Sequence, residues 1–115
     1  MKKKSNPNRS SGVLLHITSL PGPYGVGEIG IESKKFVDNL VSMGQDYWQI
    51  LPTTYPEQCN SPYDTNSAFA QNPFLISLDD LLEDELIKSS DLEPIPTFSK
   101  KRIDYNKVKN WKYPI

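Results

Sequence analysis

The apolar residues of the chain form two short runs, with a helical stripe between them. Residues 13–17 and 47–51 are nearly continuous apolar runs, as strands buried on both faces require. Between the runs, apolar residues recur with a helical period, at Phe36, Val37, Leu40 and Val41. Gly44 then supplies the predicted end of this helix, because glycine adopts positive φ without strain. Strand, helix and strand together predict one α/β unit with parallel strands.

A long loop follows each predicted strand. Residues 20–30 hold six prolines or glycines, and residues 52–73 are rich in Pro, Asn, Ser and Thr. Loops of this length inside a domain usually carry function. In β/α barrels the active site is built from the loops at the carboxyl ends of the strands. Since one such unit cannot close a barrel, the pattern predicts an architecture larger than this chain.

Shorter elements are predicted in the second half of the chain. Ser77 is the predicted N-cap of a short helix that reaches Ile87, and Asp104 is the N-cap of a last helix at 105–112. The intervening segments are predicted as a brief extended stretch at 74–76 and a Pro-rich connection at 89–99. We therefore predict a flexible arm at 1–11, followed by one folded region at 12–115.

Composition excludes several classes of protein. The mean hydropathy is −0.55, and no apolar run approaches the ~18 residues that a membrane span needs. The basic start of the chain is not followed by the apolar region of a signal peptide. The single cysteine, Cys59, excludes an internal disulfide and fits a reducing compartment, so the cytoplasm is the predicted location.

Positive charge lies only towards the two ends of the chain. No Lys or Arg occurs between Phe36 and Ile87, although several acidic residues do. The rear basic cluster consists of Lys100, Lys101, Arg102, Lys107, Lys109 and Lys112. We interpret it as the solvated face of a helix and expect no nucleic-acid partner. The opposite hypothesis, a nucleic-acid adaptor, predicts binding that weakens steeply with salt.

The loops resemble those of the amylomaltases, the 4-α-glucanotransferases that disproportionate malto-oligosaccharides. The strings are GVLLHITSLPGPYGVGEIG at 12–30, WQILP at 48–52 and SPYDTNSAFAQNP at 61–73, with weaker ones at 76–81 and 103–108. They occur in the order and spacing of that family. The resemblance implies that the chain is the N-terminal portion of a (β/α)8 TIM-type barrel, roughly its first quarter.

The resemblance also implies a chemistry. In the family, an Asp attacks the anomeric carbon, a Glu serves as acid and then base, and an acceptor sugar replaces water, which is a retaining mechanism. The catalytic carboxylates come from later strands and have no counterpart here. We therefore expect a malto-oligosaccharide or starch-like glucan as partner, no cofactor and no metal, and an isolated chain that is poorly stable and inactive. The alternative is a stand-alone glucan-binding module, which should unfold cooperatively by itself.

The predicted substrate-binding residues are Ser61 and Tyr63. The resemblance implies that the Tyr63 ring lies beside a glucosyl unit, because the C–H face of a sugar packs on aromatic rings, and that Ser61 bonds a hydroxyl. Of the acids in the loops, Glu28 and Asp64 lie close to the family's motifs, whereas Glu57 lies in a stretch that departs from the family. We interpret Glu28 as a capping or turn residue and assign neither Glu28 nor Asp64 a catalytic role. Gln58 stands where the family has a tyrosine linked to a second glucan contact, so the resemblance does not extend to that accessory site.

Three further residues invite a functional interpretation. Trp48 is interpreted as a core residue of its strand, and His16 as a hydrogen-bonded strand residue rather than a sugar ligand. Cys59 is interpreted as a free loop cysteine. The Gly25-X-Gly27-X-X-Gly30 pattern follows a strand, but prolines crowd it and no acidic strand end follows, so it is a weak dinucleotide signal.

Overall fold

The computed structural model describes residues 9–115 and begins with the predicted α/β unit. Strand β1 (Gly12–Leu14) and strand β2 (Tyr47–Gln49) pair in parallel, and helix α1 (Ile31–Ser42) connects them. Gly44 has a φ of 69° and its N–H donates to the Val41 carbonyl at 3.0 Å. The predicted strand–helix–strand order and the helix end are therefore confirmed. Residues 1–8 of the predicted arm lie outside the described residues.

The strands are shorter than predicted, and part of their apolar surface is exposed. After β1 the chain coils into a 3₁₀ turn at Ile17–Ser19 instead of continuing as a strand. Leu14 is 58% exposed and Tyr47 is 64% exposed. The burial of both faces that the apolar runs indicate is not reached in the described residues, because β1 and β2 form a sheet of only two strands. This exposed apolar surface is what is expected of a short parallel sheet in a chain that supplies only part of a larger architecture.

Both predicted N-caps are confirmed. Helix α2 (Leu78–Glu83) begins after Ser77, whose Oγ accepts from the Asp80 N–H at 3.2 Å. Helix α4 (Tyr105–Lys112) begins after Asp104, whose Oδ1 accepts from the Lys107 N–H at 3.0 Å. A side-chain acceptor at this position satisfies an N–H that the helix itself leaves unpaired, so each cap sets where its helix starts.

Three predictions for the second half are wrong in detail. The stretch predicted as extended is a 3₁₀ turn, Pro73–Leu75, capped by the Asn72 side chain. Helix α2 ends at Glu83 and does not reach Ile87, because Glu85 takes a φ of 58°. The Pro-rich connection contains a short helix, α3 (Ser89–Leu92).

The buried apolar residues form three small clusters rather than one core. Each cluster packs residues of loop 20–30, in one case together with Ile17 just before the loop, against residues from the second half of the chain. The clusters are Ile17, Leu20 and Leu75; Tyr24, Leu78 and Leu92; and Val26, Phe74 and Val108. Loop 20–30 therefore lies inside the packed part of the structure.

Trp48 has the structural role that was predicted for it. Its ring packs edge-on against Phe36 with the ring centroids 4.9 Å apart, and its Nε1 donates to the Leu15 carbonyl at 2.7 Å. The N–H of this half-buried indole needs a partner, and Leu15, the residue after β1, supplies one. Trp48 thus ties α1 and both strands together.

Candidate functional site

Loop 52–73 is a closed loop whose two arms run antiparallel. The Asn72 N–H donates to the Thr53 carbonyl at 2.8 Å, and the Tyr55 N–H donates to the Ala70 carbonyl at 3.3 Å. Inside the loop, the buried Thr54 hydroxyl donates to the Pro62 carbonyl at 2.7 Å. We call the paired residues 53–55 and 70–72 the loop root, and residues 57–64 the loop tip.

Asp64 holds the loop tip in its turn. Its Oδ2 accepts from the Gln58 N–H at 2.8 Å and from the Cys59 N–H at 3.2 Å. The Gln58 N–H and the Cys59 contacts lower the pKa of Asp64 below its usual range, because they stabilise the carboxylate. The carboxylate is thus engaged in local structure, in agreement with the prediction that it has no catalytic role.

Ser61 and Tyr63 lie side by side in this tip. The Ser61 Oγ accepts from the Tyr63 N–H at 3.3 Å, and the Ser61 carbonyl accepts from the Asp64 N–H at 3.0 Å. Because the hydroxyl is used here as an acceptor, its own hydrogen stays available for a ligand oxygen. The Tyr63 side chain is 71% exposed, so its ring face is open. The two predicted binding residues are therefore linked through the Tyr63 backbone and lie in the same loop tip.

A cavity near the first loop lies apart from Ser61 and Tyr63. It has a volume of about 550 Å³ and lies between loop 20–30 and residues 99–103. Neither Ser61 nor Tyr63 lines it. Within residues 9–115, the loop tip that carries the two residues is thus not part of that cavity.

Glu28 acts as a capping residue, as predicted. Its Oε1 accepts from the N–H of Leu78, the first residue of α2, at 3.3 Å. Its Oε2 accepts from the Lys112 ammonium in a nearly buried ion pair. Burial raises the pKa of Glu28 and lowers that of Lys112, and the pairing opposes both shifts. Both oxygens of the Glu28 carboxylate are thus engaged in contacts within the structure.

Lys112 was wrongly assigned to a solvated helix face. Its residue exposure is 6%, and its Nζ also donates to the carbonyls of Phe74 and Ile76, at 2.8 and 3.0 Å. One signal in the sequence could have shown this: Val108 precedes it by four residues, so the two share a helix face. Val108 is 2% exposed, and that face is the buried one.

His16 differs from its interpretation as a hydrogen-bonded strand residue. It follows β1, and its buried Nδ1 has no hydrogen-bond partner among the described residues. Burial lowers its pKa, because desolvation disfavours the charged ring. Cys59 is a free, exposed cysteine, as interpreted.

Two negative findings concern the part of the chain that the structure covers. No group of three or more His, Cys, Asp or Glu side chains in residues 9–115 is arranged to hold a metal ion. In the same residues, no helix has both the length and the apolar character needed to cross a bilayer.

Known proteins share this arrangement of loops. The family model described as 4-α-glucanotransferase matches residues 15–115, which include both loops and α4. The chain belongs to the 4-α-glucanotransferase family. The 4-α-glucanotransferase of Aquifex aeolicus is 50% identical over 90 residues, covering 76% of this chain and 19% of that protein. That of Thermus thermophilus is 45% identical over 106 residues, covering 92% of this chain and 20% of that protein.

A solved structure in the family has the same fold as this chain. The amylomaltase from Streptococcus agalactiae in complex with acarbose matches with a TM-score of 0.86 and 41% identity, covering 93% of this chain and 22% of that one. The resemblance to amylomaltases is thus confirmed. The chain spans about a fifth of the length of the relatives it matches.

Proposed function

We propose that this chain is the N-terminal portion of a 4-α-glucanotransferase that transfers 1,4-α-glucan segments to an acceptor sugar by a retaining mechanism. Within it, the chain contributes the first parallel strands of a (β/α)8 barrel and the loop that carries Ser61 and Tyr63. Membership of the family and the parallel β1–β2 pair support the barrel. The single free cysteine supports a cytoplasmic location.

The observation that carries the proposal is the exposed ring of Tyr63 beside a serine hydroxyl whose hydrogen is free. A glucosyl unit offers a flat C–H face to the ring and hydroxyl oxygens to Ser61. The Asp64 turn and the contact between Ser61 and Tyr63 fix the tip before ligand binds, which lowers the entropic cost of binding.

The chemistry itself is assigned to residues outside this sequence. Glu28 and Asp64 are the loop acids that lie close to the family's motifs, and both accept hydrogen bonds from backbone N–H groups. A retaining pair needs one carboxylate free to attack and one free to protonate, about 5 Å apart. The chain alone should therefore release no glucose from maltotriose, and glucose release by the purified chain would contradict this assignment.

A chimera tests the proposed function directly. This chain replaces the matching segment of the Thermus thermophilus enzyme, and disproportionation of maltotriose is followed by chromatography. We expect the chimera to be active and Tyr63→Ala to lower kcat/KM about 100-fold, because a positioned contact at the reacting sugar is lost. Phe69→Ala is the matched control, since Phe69 is an exposed aromatic residue of the same loop, at 92%, and lies outside the tip. An inactive chimera that folds, or equal losses in both variants, would contradict the proposal.

The second candidate function is a stand-alone glucan-binding module. The 115-residue chain and the chimera together distinguish it from the glucanotransferase portion. A module predicts that the 115-residue chain binds maltotriose through Tyr63 while its chimera transfers nothing. The exposed apolar surface of β1, β2 and α1 favours the barrel instead, because Leu14, Tyr47 and Val41 are each more than half exposed.

A further inference from the structure

One buried charge in the structure is not used by the proposed glucan contacts. The side chains of Lys112 and Glu28 are 4% and 11% exposed. The Lys112 ammonium has three oxygen acceptors, namely Glu28 Oε2 and the carbonyls of Phe74 and Ile76. A lysine has three N–H bonds to donate, so this set satisfies it fully. Such a buried charge persists only where pairing of this kind offsets its desolvation.

This contact joins four segments that are far apart in the sequence. Glu28 lies in loop 20–30 and also accepts from the first N–H of α2. Lys112 ends α4 and bonds the carbonyls around the 3₁₀ turn Pro73–Leu75. The Ile29 N–H strengthens the same junction by donating to the Leu75 carbonyl at 2.7 Å. The ion pair is therefore the polar centre of a junction and not a surface pair.

The junction lies directly against the loop root. Asn72, whose N–H closes the root on Thr53, immediately precedes the 3₁₀ turn. The Phe74 ring lies 6.0 Å from the ring of Tyr55, which belongs to the other arm of the root. Phe74 is thus held through its carbonyl by Lys112 and through its ring by Tyr55. Both arms of loop 52–73 depend on where Phe74 is placed.

We propose that Lys112, held by Glu28, is a positioning residue that fixes the root of loop 52–73 and so sets the orientation of the tip that carries Ser61 and Tyr63. The consequence for glucan binding rests on the function proposed above, whereas the fixing of the root does not. A residue that served only overall stability would, when removed, loosen α1 and the loop root to the same extent.

Amide hydrogen exchange of the Thermus thermophilus chimera separates these two roles, because the isolated chain is expected to be poorly stable. The quantity compared is the exchange rate at the N–H groups of Tyr55 and Asn72 divided by the rate at the N–H of Leu40 in α1. In Lys112→Met we expect this ratio to be higher by about tenfold or more than in the unsubstituted protein. The matched control is Lys35→Met, which removes the exposed ion pair between Lys35 and Glu32 and should leave the root unchanged. The proposal would be overturned if exchange accelerated equally in α1 and the root, or if the exchange rates of the root did not change. It would also be overturned if Asn72 showed no protection in the unsubstituted chimera.

A milder variant decides the question if Lys112→Met does not fold. Glu28→Gln keeps the side-chain length and an acceptor for the Leu78 N–H but removes the charge that faces Lys112. In this variant we expect amide exchange to accelerate preferentially at the root, by less than in Lys112→Met. Acceleration confined to the start of α2 would overturn the proposal.

The glucan consequence is tested in the Thermus thermophilus chimera. Lys112→Met should raise the KM for maltotriose on the order of threefold to tenfold while changing kcat less, because the binding surface is misplaced and the reacting carboxylates are not. An equal loss in both constants would contradict the positioning of the tip. If the unsubstituted chimera folds but is inactive, the proposed function fails, and the exchange experiment still decides whether Lys112 fixes the root.

Discussion

The two loops that follow the strands have similar compositions but opposite surroundings. In loop 20–30, Tyr24 and Val26 are only 6% and 5% exposed, and both belong to apolar clusters. In loop 52–73, Tyr63 and Phe69 are 71% and 92% exposed. The first loop is part of the packed interior, whereas the second is anchored at its root and open at its tip. Proline and glycine content thus predicts the absence of regular structure, but it does not predict exposure or function.

The difference has a physical cause in the backbone contacts of the first loop. The Gly27 N–H donates to the Thr18 carbonyl at 2.9 Å, and the backbone passes so close to Ile17 that there is no room for a side chain. The tip of the second loop is held mainly by side chains of its own residues, such as Asp64. A loop that bonds its own tip can leave the neighbouring side chains free to meet a ligand.

The largest expected effect would come from filling the close contact at Gly27. A Cβ built there would lie 1.9 Å from the Ile17 carbonyl oxygen, so the backbone must shift. We expect Gly27→Ala to lower the free energy of unfolding of the chimera by about 3 kcal/mol or more, in the upper range for single substitutions. Chemical denaturation measures this loss.

The matched control for that substitution lies in the same loop. Gly22 has no neighbouring atom within 4 Å of a Cβ built on it. Gly22→Ala should therefore change the free energy of unfolding by no more than about 0.5 kcal/mol. Similar losses at the two glycines would show that the loop is not packed as described.

The tyrosines of the two loops provide a comparison of intermediate size. The Tyr24 hydroxyl donates to Asp79 Oδ1 at 2.6 Å, and its burial together with Asp79 raises its pKa. Tyr24→Phe should lower the free energy of unfolding by about 1 kcal/mol, the usual value for a lost hydrogen bond. Tyr63→Phe should change it negligibly, because the exposed ring has no such role. If Tyr63→Phe were the more destabilising variant, the contrast between the loops would be wrong.

The smallest expected effect is a pH dependence confined to the loop tip. The folded pKa of Asp64 lies below its usual value of 3.8. At a pH between the folded pKa and 3.8, Asp64 binds more protons in the open tip than in the folded tip. The tip therefore becomes more stable as pH rises, and it loses that stability as pH falls through the folded pKa. Amide exchange at Gln58 and Cys59, corrected for the intrinsic rate, should therefore accelerate below the usual Asp pKa.

A substitution isolates this effect from general acid unfolding. Asp64→Asn keeps an acceptor for both N–H groups but cannot titrate, so the acid-dependent acceleration at Gln58 should disappear. The N–H of Leu40 in α1 serves as the reference within each sample. If exchange accelerated in acid at both Gln58 and Leu40, or if the acceleration at Gln58 persisted in Asp64→Asn, the pH dependence would belong to another group.

The features that could be predicted from the sequence are those set by local chemistry. Gly44 ends α1, and Ser77 and Asp104 cap α2 and α4, because each acts on backbone groups within a few residues of itself. The pairing of Ser61 with Tyr63 is local in the same sense. These residues would behave in this way in almost any surroundings.

The burial of Lys112, the 3₁₀ turn at Pro73–Leu75 and the short length of β1 and β2 could not be predicted in this way. Each depends on partners distant in sequence: Glu28 is 84 positions from Lys112, and the length of a strand depends on the strand that pairs beside it. Local propensity does not reveal contacts between residues so far apart in the sequence, because such contacts form only when the segments pack together.

By itself, the sequence determined the strand–helix–strand order of the first half, where α2 and α4 begin and where α1 ends; Ser61 and Tyr63 stay a prediction from the sequence. Only the tertiary structure decided which of the two similar loops is core and which presents a surface, and that Lys112 joins the loops instead of facing solvent. The physical reason is that a loop or a charge is buried only where distant segments supply enough contacts and hydrogen bonds to offset its desolvation.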